Sequence, residues 1–157
     1  YLKSIKTKEA FDDAGFYRSG DLFEIDGDGT ALCYYKFVGR CRELIIRGGF
    51  NIAPAEIDNL LSDHPGISEV AAFGVPDERL GERVGVAFVP REAAKITLED
   101  VVRHLKSKHI ATFKLPEGVV AVDSLPRNPM QKVLRQALSA SYALVPGSAF
   151  LQEVTSE

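Results

Sequence analysis

An α+β fold is predicted from three observations. Two apolar runs of strand length, Val70 to Val75 and Val84 to Val89, lie between turn residues, and three other segments repeat apolar residues at helical spacing. Glycine-rich turns join aromatic and β-branched stretches upstream. Strands and helices come in mixed order rather than strict alternation, so a mixed sheet flanked by helices is expected.

The elements follow in order. Leu22-Phe23-Glu24-Ile25 and Ala31 to Val38 are joined by Asp26-Gly27-Asp28-Gly29, which reads as a β-hairpin. A lone two-stranded hairpin is marginal in water, so it is expected to belong to a larger sheet. A second extended pair, Leu44 to Arg47 and Phe50 to Ile52, turns at Gly48-Gly49. Pro54 opens a helix that carries Ile57, Leu60 and Leu61 and stops before His64-Pro65-Gly66. The runs at 70–75 and 84–89, bounded by Pro76-Asp77 and Pro90, supply the buried strands. Thr97 caps a helix with Asp100 three positions on, and Leu98, Val101, Val102 and Leu105 line its apolar face. Val119 to Val122 gives one more strand. The last helix carries Val133, Leu134, Ala137 and Leu138 on one side, and past Ser141 the pattern fades. The expected organisation is a hairpin-containing segment at 1–39, a linker at 40–43, an α+β domain at 44–140 and a tail at 141–157. No internal repeat or low-complexity tract interrupts it.

Composition narrows the function classes. The chain has 157 residues, 45% hydrophobic and 26% charged, as in a globular protein with a real core. A net charge of −3 supplies no general attraction to nucleic acid or to an anionic membrane, so phosphate recognition has to rest on a few placed cations. No run reaches the roughly 18 apolar residues of a spanning helix, and Tyr1 to Lys6 does not read as a signal peptide. A cytoplasmic protein is expected. Cys33 and Cys41 have no companion pair for zinc, and free thiols are favoured over a disulfide framework. Asp26-Gly27-Asp28-Gly29 resembles the opening of a calcium loop, but Phe37 stands where the twelfth-position glutamate belongs. His64, His104 and His109 lack metal-ligand spacing, so no metal site is assigned.

Three motifs carry the chemistry: Gly15-Phe16-Tyr17-Arg18-Ser19-Gly20-Asp21, Val38-Gly39-Arg40, and Leu125-Pro126-Arg127-Asn128-Pro129-Met130-Gln131-Lys132-Val133. With Gly49 to Ile57 they resemble the carboxyl-terminal part of the adenylate-forming enzymes, from about Ala10 to Ala140. That superfamily includes acyl-coenzyme A ligases, peptide-synthetase adenylation domains and luciferases. The resemblance implies that residues 1–39 are the end of a large AMP-binding domain's β subdomain and that 44–140 is the small mobile domain. It implies an AMP-forming acid–coenzyme A ligase of the kind used in fatty acid metabolism. ATP, Mg²⁺ and coenzyme A would be required, and the fragment alone would be inactive. An adenylation domain that loads a carrier protein, and a non-catalytic interaction module, are the alternatives.

Residue roles follow from the same resemblance. Lys132 is implied as the catalytic lysine of adenylation, a task suited to a compact ammonium on a mobile stem. Without the motif it is a solvated helix lysine. Asp21 is implied on the ribose hydroxyls, which a carboxylate can accept in a fork, and Arg40 on ribose or phosphate. Read alone they are a turn aspartate and a strand-end cation. Glu43 is implied as the hinge residue, and Gly48 and Gly49 as the path of a pantetheine arm. Arg47 and Lys114 are implied as cations for coenzyme A, although surface cations are usually just solvated. Glu56 lies in a strongly matching stretch and is read as structural, in the first turn of its helix. The family's glycine before the lysine is replaced by Gln131. Asn128 and Gln131 also resemble a helix-capping pair, which would put Lys132 in a first helical turn.

Overall fold

The structure is a computed structural model that describes residues 10–26, 34–40, 43–91, 94–144 and 151–153. The expected turn at 26–29 and both cysteines fall largely or wholly outside them. The chain divides into two compact units between residues 42 and 43.

The first unit holds β1 (Asp21–Asp26) and β2 (Tyr34–Arg40), an antiparallel pair with an irregularity between Leu22 and Phe23. Alternation puts Phe23, Ile25, Tyr35 and Phe37 on one face, and all four are exposed. The Phe23 ring meets Tyr35 and Phe37 edge-on, at 6.4 and 5.8 Å.

The second unit is a five-stranded mixed sheet built from β3 (Ile45–Arg47), β4 (Phe50–Ile52), β5 (Ile67–Asp77), β6 (Gly81–Pro90) and β7 (Gly118–Ala121). β5 and β6 form the long antiparallel ladder, closed by the turn at 78–80. β3 meets the start of β6 at Gly81, and β7 runs parallel to Gly85–Phe88. Three helices complete the unit: α1 (Pro54–Leu61), α2 (Leu98–Ser107) and α3 (Arg135–Ser141). Thr97 and Asp100 make the expected reciprocal capping box at the start of α2.

Both faces of the ladder are dry, which explains the continuous apolar runs. Ala72, Val84, Val86 and Phe88 face Ile57, Leu61, Val101 and Leu105 of α1 and α2. Ala71, Phe73, Val75 and Ala87 face the other way, onto Leu125, Leu138 and Leu151. The strands extend beyond the expected bounds, through Pro76 to Asp77, because Pro76 sits beside the closing turn, where the ladder is about to end.

The sequence pattern fades after Ser141, yet β8 (Tyr142–Leu144) and β9 (Leu151–Glu153) form a short antiparallel hairpin. Leu151 is its anchor. A Cβ at Gly85 would lie 2.7 Å from Val75 and 3.0 Å from Leu151, so only glycine admits both side chains there. Truncating Leu151 to alanine is expected to lower the unfolding free energy by about 2 kcal/mol, through lost burial and a residual cavity. Urea unfolding of wild type and variant measures it, and coincident curves would mean that the hairpin does not pack on the sheet.

Candidate functional site

Lys132 lies outside any helix. Residues 127–133 form a closed loop, with Arg127 and Val133 bridged as an antiparallel pair and α3 beginning only at Arg135. The Asn128 side-chain oxygen accepts from the backbone N–H groups of Met130 and Lys132, at 3.0 and 2.9 Å, and the Asn128 N–H donates to the Lys132 carbonyl at 2.9 Å. Asn128 therefore caps this loop rather than a helix, which corrects the expectation from the Asn128 and Gln131 pairing. An Asx-type loop satisfies the same backbone donors sooner and leaves the lysine at its end.

Gln131 takes a left-handed backbone, with φ of 64°. The glycine expected at that position from the motif would adopt this conformation without strain, whereas a glutamine pays roughly 1–2 kcal/mol. The loop keeps its shape nonetheless, because the contacts of Asn128 and Arg127 outweigh that strain.

The Lys132 ammonium, half exposed, is ion-paired with the Glu43 carboxylate. The expected lysine and the expected hinge residue are thus brought together at the start of the second unit. Flanking the loop, Arg127 donates to the Gln131 carbonyl at 2.7 Å and to Glu69 at 2.5 Å. Arg135 donates to the Ala72 carbonyl at 2.7 Å and to Asp58 at 2.6 Å, while the other Asp58 oxygen accepts from the Ala72 N–H. Burial pushes the Asp58 carboxyl above the ordinary carboxylate range, and the Arg135 charge and the hydrogen bonds from Ala72 and Arg135 pull it back down.

A second cluster surrounds the β3–β4 turn. Gly48 and Gly49 have φ of 56° and 85°, and nothing lies within 4 Å of a Cβ placed on Gly49. Arg47 is engaged by Glu117 at 2.8 Å and by the Phe113 carbonyl at 3.0 Å. Glu117 also pairs with Arg83, which holds Asp77. Lys114 donates to both Glu56 oxygens, at 2.8 and 2.7 Å. The two cations expected for coenzyme A therefore already hold carboxylates, and Glu56 acts as a counterion across to the 112–114 turn as well as a first-turn residue of α1. Phe50, exposed, stacks on Phe113 with centroids 4.7 Å apart.

In the first unit the β1–β2 register sets Asp21 opposite Arg40. The two expected nucleotide residues thus share one end of the hairpin. The Asp21 N–H donates to the Ser19 hydroxyl at 3.1 Å. Of the histidines, His104 sits 2.8 Å from Asp63 and 3.0 Å from the Leu60 carbonyl, tying α2 to the end of α1. Among the described residues no three His, Cys, Asp or Glu side chains converge as a cation site.

Sequence reading missed Glu117, Arg127, Arg135, Asp58 and the Phe50–Phe113 stack. Arg47 and Glu117 are 70 positions apart, and Arg135 and Asp58 are 77 apart, so no local pattern could pair them.

Residues 56–132 match the family model of the AMP-binding enzyme C-terminal domain. The chain carries an AMP-binding enzyme C-terminal domain. It is 38% identical over 146 residues to an oxalate–CoA ligase of Arabidopsis thaliana, covering 93% of this chain and 27% of that protein. It is 39% identical over 129 residues to a medium-chain fatty-acid–CoA ligase of Escherichia coli, covering 81% and 22%. The crystal structure of ATP-bound MatB from Rhodopseudomonas palustris superposes with a TM-score of 0.75 at 39% identity, over 88% of this chain and 27% of that one. The chain thus spans about a quarter of the length of the proteins it matches.

Gln131→Gly is expected to leave the domain's stability within about 0.5 kcal/mol, since relief of strain is offset by unfolded-state entropy. Gln131→Val should lower it by about 1–2 kcal/mol, because a branched side chain fits the left-handed region poorly. Urea midpoints compare the three, and a valine variant as stable as wild type would mean that the left-handed turn is not held.

Proposed function

We propose that this chain is the carboxyl-terminal part of an AMP-forming carboxylic acid–coenzyme A ligase. The observation that carries the reading is Lys132: a half-exposed ammonium on a loop braced by backbone and side-chain hydrogen bonds, with Glu43 as its one ion-pair partner among the described residues. Such an amine can exchange Glu43 for a phosphate, since exposed ion pairs are worth only about 0–1 kcal/mol. The names of the two relatives described above, both CoA ligases, favour coenzyme A over a carrier protein as acceptor.

In this reading a carboxylate attacks the α-phosphate of ATP, forming the acyl-adenylate and releasing pyrophosphate. Lys132 stabilises charge gathering on the phosphoryl oxygens, while Asp21 and Arg40 hold the nucleotide. The small domain then turns about Glu43, and the Gly48-Gly49 turn faces the thiol, which attacks the acyl carbonyl and expels AMP. The division of the chain at residue 42/43 supports a pivot there. Arg47 and Lys114, already paired, would act on coenzyme A only by sharing their partners. Phe50 and the bare glycine backbone are the open surface. No step is assigned to Mg²⁺. The exposed aromatic face of β1–β2 calls for a further, larger domain, which would also hold the acid. No helix among the described residues is long and apolar enough to cross a membrane, and the cytoplasmic location expected from the sequence stays part of the proposal.

The test uses the complete protein that contains this chain. ATP–pyrophosphate exchange is measured with an acid panel running from oxalate to octanoate, and the best acid is then used throughout. Lys132→Ala is expected to lower acyl-adenylate formation by about 10²–10³-fold, as for loss of one transition-state donor, and to leave thioester formation from preformed acyl-adenylate within a few-fold. The isolated chain should show no exchange above its own Lys132→Ala variant. Full adenylation activity in the Lys132→Ala enzyme would overturn the reading.

A further inference from the structure

Two guanidinium groups brace the Lys132 loop from opposite ends, and both reach the same strand. Before the loop, Arg127 joins the Gln131 carbonyl to Glu69 near the start of β5. After it, Arg135 at the first position of α3 joins the Ala72 carbonyl of β5 to Asp58 of α1. Asp58 in turn accepts from the Ala72 N–H, so Arg135, Asp58 and both polar groups of Ala72 form one closed ring of hydrogen bonds. That ring is largely withdrawn from water, with the Arg135 and Asp58 side chains 20% and 18% exposed. Arg127 and Glu69 are more open, at 34% and 47%.

Neither arginine belongs to the ion pair that holds the Lys132 ammonium. Each instead fixes backbone: Arg127 takes the carbonyl immediately before Lys132, and Arg135 fixes the chain three residues after it. β5 offers a well-anchored platform, because Ala71 to Val75 are buried and paired along β6. We infer that Arg127 and Arg135 are positioning residues that clamp the Lys132 loop to β5, so that the lysine meets the phosphate with its stem already oriented. The inference rests on the ligase reading for Lys132. The strain at Gln131 fits it, since a left-handed glutamine persists only where its surroundings over-determine it. A planar fork with several donors suits this bridging, and lysine cannot replace it.

A loop displaced by about 1 Å can cost on the order of 10²-fold in rate. The thioester step makes no use of Lys132, so a clamp and a merely structural role part ways there. In the complete protein, Arg127→Ala and Arg135→Lys should each lower kcat for acyl-adenylate formation by about 10-fold or more. KM for ATP and the rate of thioester formation from preformed acyl-adenylate should stay within about twofold. Arg127→Ala, in a half-open site, keeps the test valid if Arg135→Lys does not fold. Amide hydrogen exchange at Gln131 and Lys132, which needs no acid substrate, should accelerate by about 10-fold in the same variants. Equal losses in both half-reactions, or unchanged adenylation with unchanged exchange, would overturn the clamp. Lys132→Ala run in parallel separates the failures: if it leaves adenylation intact the ligase reading falls, whereas if it abolishes adenylation and the arginine variants do not, only the clamp falls.

Discussion

Phe73 and Phe88 lie on opposite faces of the β5–β6 ladder, and every other part of the second unit is arranged by the need to keep both faces dry. α1 and α2 cover one side. Leu125, α3 and the β8–β9 hairpin cover the other. Because α3 is drawn onto β5 by Leu138, the loop before it must pass along the same strand, and that is where Lys132 stands. The apolar layers place the loop, and the polar contacts of Asn128, Arg127 and Arg135 then fix its shape.

Charge in this unit is arranged in local pairs rather than as a field, in keeping with a net charge of −3. Arg47, Arg83, Lys114 and Lys132 each hold a carboxylate. Their exposures separate them. Arg47 and Lys114 are about three-quarters buried, Arg47 between Glu117 and the Phe113 carbonyl and Lys114 on both oxygens of Glu56, whereas Lys132 is half exposed beside Glu43. In the proposed reaction a phosphate would reach the half-exposed Lys132 more readily than the largely buried Arg47 or Lys114. This difference in exposure sets Lys132 apart from those two cations, and it was invisible in the sequence.

What the sequence did disclose was local. Pro54 as a helix start, Thr97 with Asp100 as a capping box, and the two long strands are determined by neighbours a few positions apart, and the structure has them all. The C-terminal hairpin was not legible, because its strands have only three residues each and its anchor, Leu151, is recognised only through the missing side chain of Gly85. Around Lys132 the motif marked the lysine, but its caps misled. Asn128 and Gln131 satisfy the spacing of a helix start, and only the positive φ of Gln131 shows that the chain turns instead. The arginines beside the lysine look like ordinary surface charge until the fold supplies partners many tens of positions away.

In the proposed reaction, what this unit contributes to acyl-adenylate formation is an ammonium at position 132, at the end of a lysine-length stem. Chemical reconstruction addresses it most directly. In the complete protein, Lys132→Cys would be treated with 2-bromoethylamine, which rebuilds a lysine analogue with sulfur in the stem, alongside wild type treated identically as a control for Cys33 and Cys41. The account predicts an inactive cysteine enzyme that regains a substantial part of its adenylation rate after treatment, but not after alkylation with uncharged iodoacetamide. Equal recovery with the uncharged reagent, or no loss in the cysteine enzyme at the start, would contradict it.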